Sequence, residues 1–382
     1  MKSFKRFFII LLTFNMIFLT GCWNYREVEK ISMVAGVAID KGQNGNNYHL
    51  TFEFLDLSGD QPKSKLLEAD GETLFEAVRN SISKTENKLF FSHSKVIIVS
   101  QEIAEEGISK ILDFWLRDAE MRLTTNLVIS KAESAADIIK QKPVTNQLVC
   151  TGIAETITNK REHLETNPDV KLYQAYNMIS NEGISLILPS VKVSKSGEES
   201  IVELDGTSVF KKDKLSGFLS PEETKYFLYI RDEIQGGLLI INDRSKEKNT
   251  SIEVLSSKTK VKPEISNGNL TMDIKVTTKI VWAENQSDDS DMGEVRIKQI
   301  ENETKMNIEN NITKLIKKVQ KEYNSDIFGF GSTISKYNPH YWENIKEDWN
   351  NIFPNLNFKV TSDVQLVNTA CTKTKAEVKD IG

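Results

Sequence analysis

The sequence predicts a mixed α/β and α+β protein in three units, and three patterns carry that prediction. From residue 23 to about residue 198, short β-rich runs alternate with amphipathic helical segments, as in an α/β layer structure. In "NLTMDIKVTTKIVW", Leu270, Met272, Ile274, Val276, Ile280 and Trp282 alternate with Thr271, Asp273, Lys275, Thr277 and Lys279. Near the C-terminus Leu356, Phe358, Val360, Val364 and Leu366 alternate in the same way with Asn357, Lys359, Thr361, Asp363 and Gln365. Such period-2 patterns describe strands with one dry face and one wet face. Between them, Ile297, Ile300, Ile308, Ile312, Leu315, Val319 and Tyr323 step by threes and fours, with Thr304 filling one gap. That stripe predicts a helix from Glu294 to Tyr323, about 45 Å long, packed on the dry face. The expected units are an α/β N-terminal domain over 22–198, a small middle domain over 199–250, and a C-terminal antiparallel sheet packed by the long helix over 251–382.

The chain opens "MKSFKRFFIILLTFNMIFLTGCW". Lys2, Lys5 and Arg6 precede an apolar core from Phe7 to Leu19, broken only by Thr13 and Asn15. A helix of that length rises about 20 Å, short of the roughly 30 Å of a bilayer's hydrocarbon. The pattern reads as a signal peptide over residues 1–21. Leu19-Thr20-Gly21-Cys22 resembles a bacterial lipobox, in which the cysteine thiol receives a diacylglyceryl group and becomes the new N-terminus. Acyl chains contribute about 0.8 kcal/mol per buried CH₂, so a doubly acylated Cys22 tethers a body that does not span the membrane.

Farther along, "KISMVAGVAID" and "YHLTFEFLDL" flank the turn-forming "KGQNGNN" and predict a hairpin. "TLFEAVRNSISK" places Leu74, Val78 and Ile82 on one helical face, and "GISKILDFWLRD" does the same with Ile108, Ile111, Leu112 and Trp115. "KVIIVS" and "TTNLVIS" read as strands, and "SAADIIKQ" as a helix capped by Ser134. The polar "PSVKVSKSGEES" marks the first boundary. In the middle unit a Lys-Asp-Lys turn separates "TSVF" from "GFLS", Ser220 caps a helix that starts at Pro221, and Gly236-Gly237 precedes the strand "LLII". After the long helix, Asn338-Pro339 opens a shorter one that buries Trp342, Ile345, Trp349 and Ile352.

Composition excludes several functions. The formal net charge of −5 becomes −8 once Lys2, Lys5 and Arg6 leave with residues 1–21, which does not suit a nucleic-acid binder. Cys150 and Cys371 remain as thiols, read as buried free cysteines with a single disulfide as the alternative. His49, His93, His163 and His340 are scattered, with no metal-ligand spacing, and no Walker loop, dinucleotide fingerprint or Gly-x-Ser-x-Gly elbow is present. No metal and no cofactor are therefore expected. "GFGST" at 329–333 lacks a phosphate-reaching lysine and reads as a turn, and Asp288, Asp289 and Asp291 read as a solvated loop. "LRDAEMR" brings Arg117, Asp118, Glu120 and Arg122 near a helix end, as local ion pairs or a partner-facing surface to which Arg117 and Arg122 would contribute.

Three segments in order resemble one family, the C-subunit lipoproteins of spore germinant receptors, of Ger(x)C type. "LTGCWNYREVEKISMVAGVAID" is similar to that family's opening, with Asn24 where an acidic residue is usual and the Arg-Glu pair at Arg26-Glu27. "DGTSVFKKDKLSGFLS" matches its Gly-Thr-Ala-Val-Phe segment with Ser208 in place of alanine, and "DIFGFGSTISKYNPHYWENIKEDWNNIFP" matches its closing segment. The resemblance implies a lipid-anchored, non-enzymatic subunit on the outer surface of the spore's inner membrane, assembled with two polytopic membrane subunits. Trp23 and Tyr25 lie within about 10 Å of Cys22 along the chain, so Trp23, Arg26 and Glu27 are candidate contacts to membrane or partner. The competing reading is a lipid-anchored solute-binding protein of a transporter, a class built from two similar lobes, which the unlike halves here do not match. A cell-envelope hydrolase lacks any nucleophile or metal constellation to support it.

Overall fold

Strands β1 (Ile31–Lys41) and β2 (Tyr48–Asp56) form the expected hairpin, with Met33 opposite Leu55 and Lys41 opposite Tyr48. They belong to a computed structural model of the chain that describes residues 4–5, 7, 31–43, 45, 47–56, 63–145, 148–159, 164–243, 248–285 and 293–368. The hairpin is extended by β3 (Lys63–Gly71), antiparallel to β2. Next come α1 (Leu74–Ile82), β4 (Lys88–Phe90), β5 (Val96–Val99), α2 (Gln101–Glu106), α3 (Ser109–Arg117) and β6 (Asn126–Ser130). Then follow α4 (Ala135–Ile139), α5 (Val149–Asn159), α6 (Leu172–Ser180) and β7 (Ile187–Ser196). β8 (Glu199–Lys211) and β9 (Lys214–Leu219) complete a sheet ordered β3-β2-β1-β5-β6-β7-β8-β9, with β4 also parallel to β1. β1, β5, β6 and β7 run parallel at its centre, flanked on both sides by antiparallel strands.

The central strands are apolar on both sides because helices cover both faces. One face carries Val37, Ile97, Val99, Leu127 and Ile129 under Ile103, Ile111 and Trp115. The other carries Ala38, Val96, Ile98 and Val128 under Ile138, Ile139, Ile153 and Ile157 of α4 and α5. Each large side chain buried to this degree stabilises the fold by about 1.5–3 kcal/mol before entropy is set against it.

Helix α7 (Pro221–Ile230) starts where Ser220 and Glu223 form a reciprocal capping pair, and Pro221 occupies the first turn. The second sheet is ordered β10 (Leu238–Asp243), β11 (Lys248–Ser266), β12 (Asn269–Asn285), β13 (Asn357–Asn368). Residues 199–250, read from the sequence as a middle unit, thus supply β8 and β9 to the first sheet and β10 to the second. The polar "SKSGEE" forms the tip of the β7–β8 hairpin, where Gly197 and Glu198 make the turn and Gly197 is in the left-handed region at φ 64°.

The mixed α/β class is as expected, and one detail of the second sheet differs. β13 runs parallel to β12, with Thr271 opposite Asn357 and Ile280 opposite Leu366, so the sheet is mixed rather than antiparallel. Period-2 alternation is the same in either direction. The chain's return route through the helices decides the sense. α8 (Glu294–Lys318), with a wider last turn over Val319–Tyr323, buries Ile300, Thr304, Ile308, Ile312, Leu315 and Ile316, close to the predicted stripe. It lies over the dry face formed by Met272, Ile274, Val276 and Ile280 and also guards the open edge of β13. Glu309 accepts from Ser362 N at 2.7 Å and Glu301 from Leu366 N at 2.9 Å, occupying donors that an edge strand otherwise presents to other chains. α9 (Phe330–Tyr337), α10 (Pro339–Ile345) and α11 (Trp349–Ile352) follow, α10 capped by Asn338 as expected. No helix among the described residues is long and apolar enough to cross a membrane.

Candidate functional site

The long helix stops at Asn324, whose φ of 42° is left-handed, and the chain then folds back through "SDIFGFGST". Gly329, at φ 74°, makes the reversal and precedes α9. Asp326 lies beneath this turn, 4% exposed. Its carboxylate accepts from Gly329 N at 2.9 Å, Phe330 N at 3.1 Å, Gly331 N at 2.8 Å and the Trp349 indole Nε1 at 3.2 Å. Three of those donors are amides at the start of α9 that no helical carbonyl can reach, and the helix dipole favours negative charge there. Burial pushes the Asp326 carboxyl up to about 6, against the pull of the three backbone amides and the indole.

This turn also joins the two sheets. Ser185 N donates to Asp326 O at 2.8 Å, Ser332 N to Gly183 O at 2.8 Å, and Ser332 Oγ to Glu182 O at 3.0 Å. Gly331 packs backbone to backbone on Gly183: a Cβ on Gly331 would stand 2.6 Å from Gly183 Cα and 2.6 Å from the Trp342 ring. Nearby, the Tyr323 hydroxyl donates to Phe218 O at 2.9 Å, and Ser325 Oγ donates to Phe210 O. Beneath the turn, Phe227, Phe328, Phe330, Phe353, Trp349 and Trp342 form a continuous chain of ring contacts with centroids 5.1–6.5 Å apart. Segment 181–184 separates two open polar clefts of about 540 and 900 Å³. Lys211, Lys212 and Lys346 line the first, and Arg231, Asp232 and Lys336 the second. Among the described residues no group of three His, Cys, Asp or Glu side chains is arranged to hold a metal. The arrangement is a close-packed, hydrogen-bonded joint between two layers.

Both sides of that joint match known proteins. The family model described as spore germination protein N-terminal domain matches residues 24–193, and the one described as spore germination B3/GerAC like, C-terminal, matches 205–370. The chain belongs to the GerAC-like family of spore germination proteins. The Ger(x)C-type resemblance read from the sequence is thereby borne out. Spore germination protein B3 of Bacillus subtilis (strain 168) is 26% identical over 379 residues, covering 96% of this chain and 98% of that protein. Spore germination protein KC of the same organism is 24% identical over 394 residues, with 94% and 95% covered. The crystal structure of the GerBC protein superposes with a TM-score of 0.57 and 25% identity, over 90% of this chain and all of that one.

In this GerAC-like chain, Cys22, Trp23, Tyr25, Arg26 and Glu27 lie outside the described residues, as do Asp288, Asp289, Asp291 and Cys371. Arg117 sits exposed on the last turn of α3, its Nε 2.8 Å from Asp113 Oδ1. Glu120 pairs with Lys88, and Asp118 accepts from Glu120 N at 2.7 Å. Arg122 is exposed in the next loop, where it lines a shallow depression with His93, Lys95 and Lys171. Most of the "LRDAEMR" group is thus local ion pairing and hydrogen bonding, with Arg122 facing outward. Cys150 is a buried free thiol beneath Gly36, and burial raises it well above its ordinary value.

Sequence reasoning passed over the buried carboxylates. Asp40 accepts from Ala135 N and Ala136 N at 2.6 and 2.9 Å, closing the start of α4. Glu53 accepts from Val149 N and Cys150 N at 2.8 and 2.7 Å, closing the start of α5, and from Ser64 Oγ at 2.9 Å. Desolvation raises Asp40 against those amide bonds. A lone acid between two phenylalanines, as in Phe52-Glu53-Phe54, was the available signal.

Proposed function

We propose that the chain is a lipid-anchored, non-enzymatic subunit of a spore nutrient germinant receptor, supporting receptor assembly or signal relay during germination. The observation that carries this reading is full-length similarity: both halves match spore germination families, and spore germination protein B3 aligns over nearly its whole length. The lipobox-like Leu19-Thr20-Gly21-Cys22 supports tethering through Cys22 to the outer surface of the spore's inner membrane. Two polytopic membrane subunits are the partners the reading requires. Trp23, Arg26 and Glu27, which follow Cys22 directly, are its candidate contacts, with Arg122 as an outward-facing charge and Arg117 beside it in sequence. The joint at Asp326, Gly183 and Gly331 suits relay, because two layers held backbone to backbone move together rather than independently.

Fractionation of spores carrying Cys22→Ala tests the anchor. The variant should fold as the parent does and leave the membrane fraction. A variant that still sediments with membranes after a high-salt wash would show that something other than acyl chains holds the protein.

A further inference from the structure

The outward face of the second sheet gathers lysines on a chain that is acidic overall. Strand register places Lys258, Lys260 and Lys262 of β11, Lys275 and Lys279 of β12 and Lys359 of β13 on this face, and all six are exposed. Lys260 stands directly opposite Lys275, and Lys262 and Lys359 flank Asp273 from the strands on either side. Like charges placed directly across a strand pair destabilise a sheet, so the arrangement is a local cost that nothing in the sheet requires. Lys258 is paired with Asp232, and Lys275 with Asp273 at 3.1 Å. Among the described residues the ammonium groups of Lys260, Lys262, Lys279 and Lys359 have no ion pair. Asp273 and Asp363 are the acids within the rows that carry these lysines, so the middle of the face is net positive on a chain of formal charge −5, while Glu264 lies toward the β11–β12 turn and Glu253 and Glu284 toward the opposite end.

One end of the same face is greasy. Leu238, Ile240, Leu255 and Val367 are 37%, 52%, 47% and 43% exposed. Register brings them together: Leu238 lies opposite Glu253, which lies opposite Val281, while Leu255 and Val367 occupy irregularities in the adjoining strands. Free lysines beside a small apolar rim suit a lipid interface, where stems lie along apolar surface and ammonium groups reach the headgroups. The face carries no arginine. An acidic protein partner, with carboxylates at fixed positions, favours arginine's planar fork, whereas mobile lipid phosphates suit the point charge of lysine.

We propose that this sheet face rests against an anionic lipid surface and so sets the orientation of the anchored body on its bilayer. The proposal rests on the anchored reading for the nearness of a bilayer, and it is independent of which membrane subunits are present.

The test reconstitutes the full chain into vesicles of phosphatidylcholine, alone or mixed with phosphatidylglycerol. Lysines are labelled with a water-soluble amine-reactive reagent and quantified by mass spectrometry. Only protein that floats with vesicles is scored, so a failure of anchoring registers as lost protein and not as altered labelling. Each lysine brought to an anionic surface strengthens partitioning about fivefold. Labelling of Lys260, Lys262, Lys275 and Lys359 should fall about fivefold or more in the anionic vesicles, relative to Lys110 and Lys214 of the first sheet's unit, and should recover at high salt. Lys260→Glu relieves the like-charge pairing with Lys275, and Lys262→Gln sets no second carboxylate opposite Asp273, so the double variant should fold, yet it should abolish protection at Lys275 and Lys359. Equal labelling in neutral and anionic vesicles overturns the proposal. So does protection in both vesicle types that salt leaves unchanged, because that places protein, either a second copy or a partner, on the face.

Discussion

Asp326→Ala should lower the stability of the folded chain by about 4 kcal/mol, because removing one partner of a buried charged group costs roughly 3–5 kcal/mol. The change strips the acceptor from Gly329 N, Phe330 N, Gly331 N and the Trp349 indole at once, in a site almost closed to water. Asp326→Asn tests the chemistry apart from the volume. Its amide keeps one acceptor oxygen but turns an NH₂ toward donors, so it should recover only part of the loss. The residue should also carry a pH dependence of known sign. Its folded-state value of about 6 stands above the ordinary 3.8, so its protonated form favours the folded state. That contribution is complete below 3.8 and is lost as pH rises through about 6. Denaturant titrations of parent and Asp326→Asn should therefore diverge between those limits, the parent alone gaining stability from this residue as pH falls. A parent-minus-variant difference that does not change across that window would place the carboxylate elsewhere.

Gly331→Ala is the second change expected to have a large effect, about 2–3 kcal/mol from overpacking. An added Cβ would stand 2.6 Å from Gly183 Cα and 2.6 Å from the Trp342 ring, and backbone on one side cannot move aside cheaply. Trp342→Phe in the same chain removes the ring atoms nearest that Cβ and should return part of the loss. The double-mutant cycle should then show a coupling of about 0.5–3 kcal/mol between the two sites. If relay passes through this joint, Gly331→Ala spores should also germinate slowly at normal protein levels. Additive effects of the two substitutions would mean that the ring and the glycine are not in contact.

Features written in local chemistry were legible in the sequence. The caps at Ser134, Ser220 and Asn338 each depend on a few consecutive residues, and the α8 stripe and the dry faces of β12 and β13 depend on spacing alone. β3 was missed because "KSKLLEADG" is largely exposed at a sheet margin and so carries little alternation. The parallel sense of β13 was missed because direction leaves no mark on a period-2 pattern. In the candidate site, "GFGST" was read as a turn, but only Gly329 lies in the reversal while Phe330 to Thr333 open α9, and Asp326 was not recognised as the centre of that reversal. Its donors include an indole 23 positions downstream, and nothing local distinguishes a buried aspartate from a solvated one. The lysines of β12 and β13 were read as a wet face. Their gathering with those of β11 became visible only once register aligned the three strands.

The most direct measurement of the central claim is affinity purification of the intact chain from spore inner membranes, beside the variant carrying Trp23→Ser, Arg26→Ser and Glu27→Ser. A receptor subunit should bring two polytopic membrane proteins with it in constant ratio. The triple variant should remain membrane-bound while losing them, and its spores should respond slowly to nutrients. Recovery of the chain with a transporter's ATPase, or with no membrane protein at all, would contradict the account.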